Sequence, residues 1–274
     1  MQGLLDEMAQ EGDPVTISQA CKWSDVSRRS FYYRAVKSAP KVNEHLAARV
    51  KRFINAFPHA GYRTVAWALG ENKNTIQRIF QLKGWQVRQR ASGARPRVQN
   101  KTSVTSAPDV RWSTDTCRVW CGSRNGWCAL TLVMDCHTRE LLGWSLSPKG
   151  DAKAAEAALE EALIYRSGSL TVPRERIVLR SDNGLVFTSK LYTKAAKRYG
   201  FEQEFIRPHT PQQNGLVERF IRTVKTECVE QHNWQSVEEA KRCLDLWFKY
   251  YNEERPHQAL KMKTPSMIYQ QLAA

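Results

Sequence analysis

The sequence predicts an α/β chain: a mixed five-stranded sheet with helices, preceded by all-α helix-turn-helix units. Three observations carry this. Residues 15–35 and 43–82 place apolar residues at helical spacing, broken by short polar turns. From residue 108 the texture changes to three alternating, strand-like runs joined by turns. After residue 151, helical and strand patterns follow one another to the end of the chain.

Element by element, residues 15–35 read as a short helix, a turn near Trp23 to Val26, and a second helix opening at Ser27, a helix-turn-helix pattern. Ser27 is a good N-cap, and Arg28, Arg29, Ser30 and Arg34 give that helix a face suited to phosphate and base contacts. A second unit is expected as helices near Asn43 to Phe57, Tyr62 to Leu69 and Asn74 to Leu82. Lys73, Asn74, Gln77 and Arg78 of its last helix are candidates to reach DNA, although the same pattern also serves plain packing. The segment QVRQRASGARPRVQNK has five basic residues, Arg88 and Arg90 among them, no acidic ones and no apolar period, and reads as a basic linker.

Beyond it, RWSTDTCRVW, GWCALTLVMD and ELLGWSLS read as three strands of an antiparallel meander with turns at Gly122 to Gly126 and His137 to Arg139. An Ala-rich helix (Asp151 to Tyr165), a strand (Arg176 to Ser181), a helix (Ser189 to Tyr199) and a strand (Phe201 to Ile206) follow. Long helices from Asn214 to Glu230 and from Ser236 to Asn252 complete the pattern. That order is the order of the ribonuclease-H-like fold. The expected division is a helix-turn-helix unit at 1–40, a second helical unit at 41–85, the linker at 86–107, a core at 108–235 and a helical extension at 236–274.

Charge points to the partner. The chain has 42 Lys and Arg against 27 Asp and Glu, a net charge of +15, and residues 1–100 hold +10 of it, with 17 basic and 7 acidic side chains. A polyanion is implied, double-stranded DNA first, with the N-terminal third as the gripping part. Seven cysteines without a Cys-x-x-Cys pair argue against a disulfide framework and favour a reducing cytoplasm. The cluster of Cys117, Cys121, Cys128 and Cys136 lies in strand-like sequence with only His137 nearby, a poor zinc site. The longest apolar run, Trp127 to Met134, is too short to span a bilayer, so no membrane is expected.

Three carboxylates carry the chemistry. Two-metal phosphodiester cleavage needs acids converging from separate strands and helices on two hard cations. Asp115 lies mid-strand among apolar neighbours, where a carboxylate is costly without a cation or partner. Asp182 ends the strand IVLRS and opens the turn Asp182-Asn183-Gly184, and Glu218 lies one turn into the helix from Asn214. Arg222 and Lys225 fall at i+4 and i+7 from Glu218, and Asn214 sits in the polar loop before that helix, able to contact a terminal nucleotide.

Thirty-five residues separate Asp182 from Glu218, and with WSTDT, RSDNG, HTPQQNGLVERFIRTVK and YNEERPHQAL the chain resembles the D-D-35-E core of integrases and insertion-sequence transposases, most of all the OrfB subunit of the IS-three family. The resemblance covers residues 108 to 268. It implies Asp115, Asp182 and Glu218 as catalytic residues and ligands of two Mg²⁺ ions, with Mn²⁺ as a substitute, and a basic role for Lys225. Asp135 resembles the non-catalytic Asp of the family's turn. The implied function is a DNA transposase that binds element ends, cleaves a strand and joins its 3′ hydroxyl to another phosphodiester. The competing class is a DNA-binding repressor or assembly subunit without catalysis; a nuclease without strand transfer stands third. Synapsis of two ends implies at least a dimer. The family also implies an upstream OrfA-type partner or fusion, so the chain is either a partner-dependent fragment or a self-sufficient variant, in a bacterial cytoplasm at the nucleoid.

Overall fold

Helices with explicit caps open the chain in the computed structural model, which describes residues 2–12, 15–33, 41–87, 104–173, 175–207 and 210–273. Two compact units are present, Met1–Ala47 and Ala48–Ala274. The first begins with α1 (Gln2–Gln10), not anticipated from its acidic, weakly patterned sequence. Next come α2 (Ile17–Trp23) and α3 (Arg28–Phe31). Thr16 and Gln19 form a reciprocal capping box on α2, and the Ser27 hydroxyl accepts from Ser30 N–H at 3.1 Å, the expected N-cap. Between them Asp25 adopts φ 52°, a left-handed turn position that short acidic residues tolerate.

Helix α4 (Glu44–Ala56) leads into the second unit, where α5 (Tyr62–Leu69) and α6 (Lys73–Lys83) follow. Gly70 at φ 65° closes α5 and Gly84 at φ 67° closes α6, the left-handed positions that favour glycine. Arg49 of α4 reaches Glu71 in the turn at 2.8 Å. All three helices lie within a residue or so of the expected bounds. Residues 88–103, most of the expected linker, fall outside the described residues, and with them Arg88 and Arg90; so does Arg34.

The sheet holds β1 (Arg111–Trp120), β2 (Trp127–Asp135), β3 (Leu141–Ser147), β4 (Val178–Ser181) and β5 (Glu202–Phe205), in the order β3-β2-β1-β4-β5. The first three form the antiparallel meander; β4 and β5 run parallel to β1. It is the mixed five-stranded sheet of the ribonuclease-H-like fold. Strand alternation sorts its side chains into two cores. Trp112, Val133 and Leu142 face α7 (Ala152–Ser167) and α9 (Lys190–Arg198), whereas Cys117, Leu130, Leu132 and Met134 face α10 (Gly215–Glu227) and α11 (Val237–Glu253), with α8 (Leu185–Thr188) a short turn before α9. The alanines of α7 let it lie directly on β3: a Cβ at Gly143 would stand 2.3 Å from the Ala158 carbonyl oxygen.

One expected helix is divided. Pro211–Asn214 forms a 3₁₀ turn, α10 starts at Gly215, and the helix ends at Cys228, whose carbonyl takes the His232 ring at 2.8 Å. The chain closes with α12 (Pro265–Ala273), where Pro265 occupies the first turn and the Thr264 hydroxyl accepts from Met267 N–H.

Candidate active site

Backbone register brings the two aspartates together. Ser113 of β1 pairs with Arg180 of the parallel β4, and continuing that register one residue past the end of β4 at Ser181 brings Asp182 opposite Asp115, within electrostatic reach of it. Neighbouring strands lie about 4.8 Å apart. Asp115 shares a face with Cys117, the face covered by α10, and α10 carries Glu218.

Asp115 is half-buried and its Oδ1 accepts from Thr116 N–H at 2.7 Å. Burial first, then the carboxylates of Asp182 and Glu218, push its pKa up to about 6 against the pull of Thr116 and Lys225. The three acids therefore share one electrostatic field, and Lys225 of α10 lies within it. Partial desolvation likewise raises Glu218, although its side chain is exposed, while Arg222 one turn along opposes it. Asp182 Oδ1 accepts from Gly184 N–H at 2.9 Å, and a Cβ at Gly184 would stand 2.8 Å from that oxygen, so the glycine lets the turn close on the carboxylate. Among the described residues no group of three or more His, Cys, Asp or Glu side chains converges closely enough to hold a metal ion. The acids form an open set of hard oxygen donors.

Residues outside the expected catalytic set brace it. Arg180, buried beside Asp182 in RSDNG, donates through Nε and Nη2 to Glu204 of β5 at 2.9 and 3.1 Å, and through Nη1 to the Gln213 carbonyl just before α10 at 2.7 Å. Burial would raise Glu204, yet Arg180 and Arg111 together hold it below its ordinary value. At the far end of α10, Arg255 makes a two-point pair with Glu227, at 2.8 and 2.6 Å. Asn252 accepts from Leu141 N–H and donates to Leu141 C=O, and the Tyr251 ring packs edge-on against Phe220 of α10 at 4.6 Å. His257 stands edge-on to Tyr251. The string YNEERPH is thus a brace between β3, α10 and the final turn. In the sequence Arg180 shows only as an arginine within an apolar strand pattern.

The other candidates divide. Asn214, expected at DNA, is buried: its Nδ2 donates to the Thr114 carbonyl of β1 at 3.4 Å. That corrects the expectation, because the 3₁₀ turn before α10 rotates this side chain inward. Asp135 is consumed by its own turn, accepting from His137 N–H, Thr138 N–H and the Thr138 hydroxyl at Oδ1 and from Asp109 N–H at Oδ2. Ser113 and Ser181 are buried, Ser113 against the Cys136 thiol and Ser181 donating to the Asp182 carbonyl. Arg28 and Arg29 are exposed on α3, Asn74 and Arg78 on α6, and Arg222 on α10, while Gln77 and Lys225 are half-buried.

Comparison with known proteins bears on the family and the fold. Two family models, each described as an integrase core domain, match residues 105–211 and 199–265, together more than half of the chain. A protein of the insertion element IS476 of Xanthomonas euvesicatoria is 27% identical over 94% of this chain and 73% of its own length. Transposase InsD of the insertion element IS2D of Escherichia coli is 24% identical, over 82% of this chain and 78% of its own. Among solved structures, a chain of the simian T-cell lymphotropic virus intasome aligns with a TM-score of 0.52 at 17% identity, covering 81% of this chain and 74% of that one, a likeness of fold.

Proposed function

This chain belongs to the insertion-sequence transposases with an integrase core, and from that premise we propose that it cleaves a DNA strand at an element's end and joins the 3′ hydroxyl to another phosphodiester, using Asp115, Asp182 and Glu218. The observation that carries the residue assignment is the parallel register that sets Asp115 beside Asp182 on the face under the Glu218 helix. Three carboxylates in one field, next to a polyanionic substrate, are unfavourable unless cations join them. Their oxygen chemistry fits two Mg²⁺ ions, with Mn²⁺ as a substitute. Glu218, exposed on its helix, would complete the set. When bound, such ions activate the attacking oxygen and stabilise the leaving one.

The protein's own part is positional. Asp115 and Asp182 are fixed by backbone N–H groups, Lys225 offsets the negative field, and Arg180 and Arg255 hold the two ends of the Glu218 helix. Among the described residues no general base serves a serine beside the aspartates, since Ser113 and Ser181 are spent on Cys136 and a carbonyl. Attack is therefore in-line, by water or a DNA hydroxyl, with no protein–DNA covalent intermediate.

The helical segments at 1–40 and 41–85 and the basic stretch at 86–107 grip the DNA, through Arg28, Arg29, Arg34, Asn74, Gln77, Arg78, Arg88 and Arg90; Arg222 and Lys225 contact it at the core of 108–235, which the helices of 236–274 brace. Holding two ends at once requires at least a dimer, with an OrfA-type partner as the further candidate. Among the described residues no helix is long and apolar enough to cross a membrane, and work on chromosomal DNA places the protein at the nucleoid. Joining of labelled end DNA to a chiral phosphorothioate tests the reading. Inversion at phosphorus, with activity lost to chelator, is expected; net retention or a trapped DNA–serine adduct would overturn it.

A further inference from the structure

The turn between β2 and β3 carries an arginine that the site described so far does not use. Arg139 sits at φ 63°, a strained conformation for a residue with a Cβ. Its two acidic neighbours are committed elsewhere: Asp135 to backbone and hydroxyl groups of the turn, and Glu140 to Arg166 at 3.0 Å and Tyr165 at 2.8 Å. Arg139, half-buried, forms no salt bridge among the described residues.

Arg139 lines a cleft of about 400 Å³ together with Gly215, Glu218, Arg219 and Arg222 of α10. The same three arginines line an adjoining hollow of about 540 Å³ that runs along α10 past Thr223 and Thr226. Among its described lining residues the acid is Glu227, which is paired with Arg255. Three arginines thus line the cleft, with Glu218 in the field of Arg222 as the acid among its described lining residues, at the N-terminal turn of a 13-residue helix whose dipole adds further positive potential.

We propose that Arg139, Arg219 and Arg222 form a phosphate site that holds the DNA backbone beside Glu218, carrying the strand from the carboxylates toward the β2–β3 turn. This rests on the transposase reading for the identity of the ligand. The phosphodiester belongs either to the strand at the element's end or to the strand being joined, and the two are separated by using both as probes.

The test uses the full chain in chelator, so that binding is read without catalysis. Affinity for an end duplex and for an unrelated target duplex is followed by fluorescence anisotropy over a salt series. The variants are Arg139→Gly, which suits the left-handed backbone while removing the guanidinium, Arg139→Lys, and the helix-surface substitution Arg219→Gln. The double variant Arg139→Gly/Arg219→Gln is expected to bind one of the probes about 10-fold more weakly, with a slope of log K against log salt shallower by about one to two, and Arg139→Lys to restore most of the slope. Whichever probe responds names the strand. If both slopes match the parent for a protein with native circular dichroism, the site is wrong. Because Arg219→Gln alters only a helix surface, it keeps the test valid should Arg139→Gly fail to fold. Cleavage is assayed separately with Mg²⁺. Unchanged slopes with intact cleavage by the parent remove the phosphate site and leave the transposase reading; changed slopes in the variants with no cleavage by the parent do the reverse.

Discussion

Burial and neighbouring acids push Asp115 up to about 6, so in metal-free protein the folded state holds this proton more tightly than the unfolded chain does. The stabilisation from that proton is complete below about 3.8 and is lost as pH rises through about 6. At neutral pH the ionised carboxylate therefore weakens the fold. Asp115→Asn should stabilise the metal-free protein at pH 7 by about 1–3 kcal/mol, flatten the change between pH 4 and 6, and abolish joining. Melting curves in chelator at pH 5 and pH 7 check this; a lower melting temperature for the variant at pH 7 would make the carboxylate a structural one. His257 acts with the opposite sign. Burial, then the positive charges of Arg255 and Arg139, lower its pKa from 6.5 to about 3. Its contribution is present above 6.5 and lost as pH falls through about 3, with a slope approaching about 1.4 kcal/mol per pH unit in between. Denaturant titrations should show a shallower acid-side loss for His257→Gln than for the parent, and identical slopes would show that His257 is not the group being protonated.

The Glu218 helix depends on two arginine clamps, one at each end. Removing Arg255 leaves Glu227 as a partly buried, uncompensated acid, so Arg255→Ala should cost about 1–3 kcal/mol and lower joining more than DNA affinity. The double variant Arg255→Ala/Glu227→Ala should cost less than the sum of the singles, and strict additivity in a double-mutant cycle would mean that the pair is not coupled. At this scale the sequence was most and least legible. The three meander strands, α3, α7 and α9 were visible because period and caps are local: Ser27, Asp151 and Ser189 each accept from the backbone three residues on. Asp115, Asp182 and Glu218 were visible through their spacing, although the register that joins the first two is a property of the sheet. The partners of the clamps were not visible, because they are distant along the chain. Arg180 reaches 24 and 33 residues along the chain, and Asn252 reaches 111. Asn214 was misread for the same reason: its local setting is a polar loop, while its side chain answers to Thr114, 100 residues away.

Across the whole molecule the charge is unevenly spread, with +10 of +15 on residues 1–100. Exposed Arg28, Arg29 and Arg78 lie within that stretch, on α3 and α6. Replacing all three with Ser or Gln should reduce the salt slope of DNA binding by about two to three and leave the Mg²⁺ requirement for cleavage unchanged. A slope equal to the parent's would shift the DNA grip to the core. The division between gripping and cutting that this implies rests finally on the carboxylates. Asp182→Asn changes a charge and almost no shape, so comparing end-DNA binding with cleavage and joining, in the same preparation and in Mg²⁺, isolates the chemical role. Cleavage and joining are expected to vanish while affinity stays within about twofold, less than about 0.5 kcal/mol; retained joining, or a loss of binding equal to the loss of catalysis, would contradict a catalytic role for Asp182.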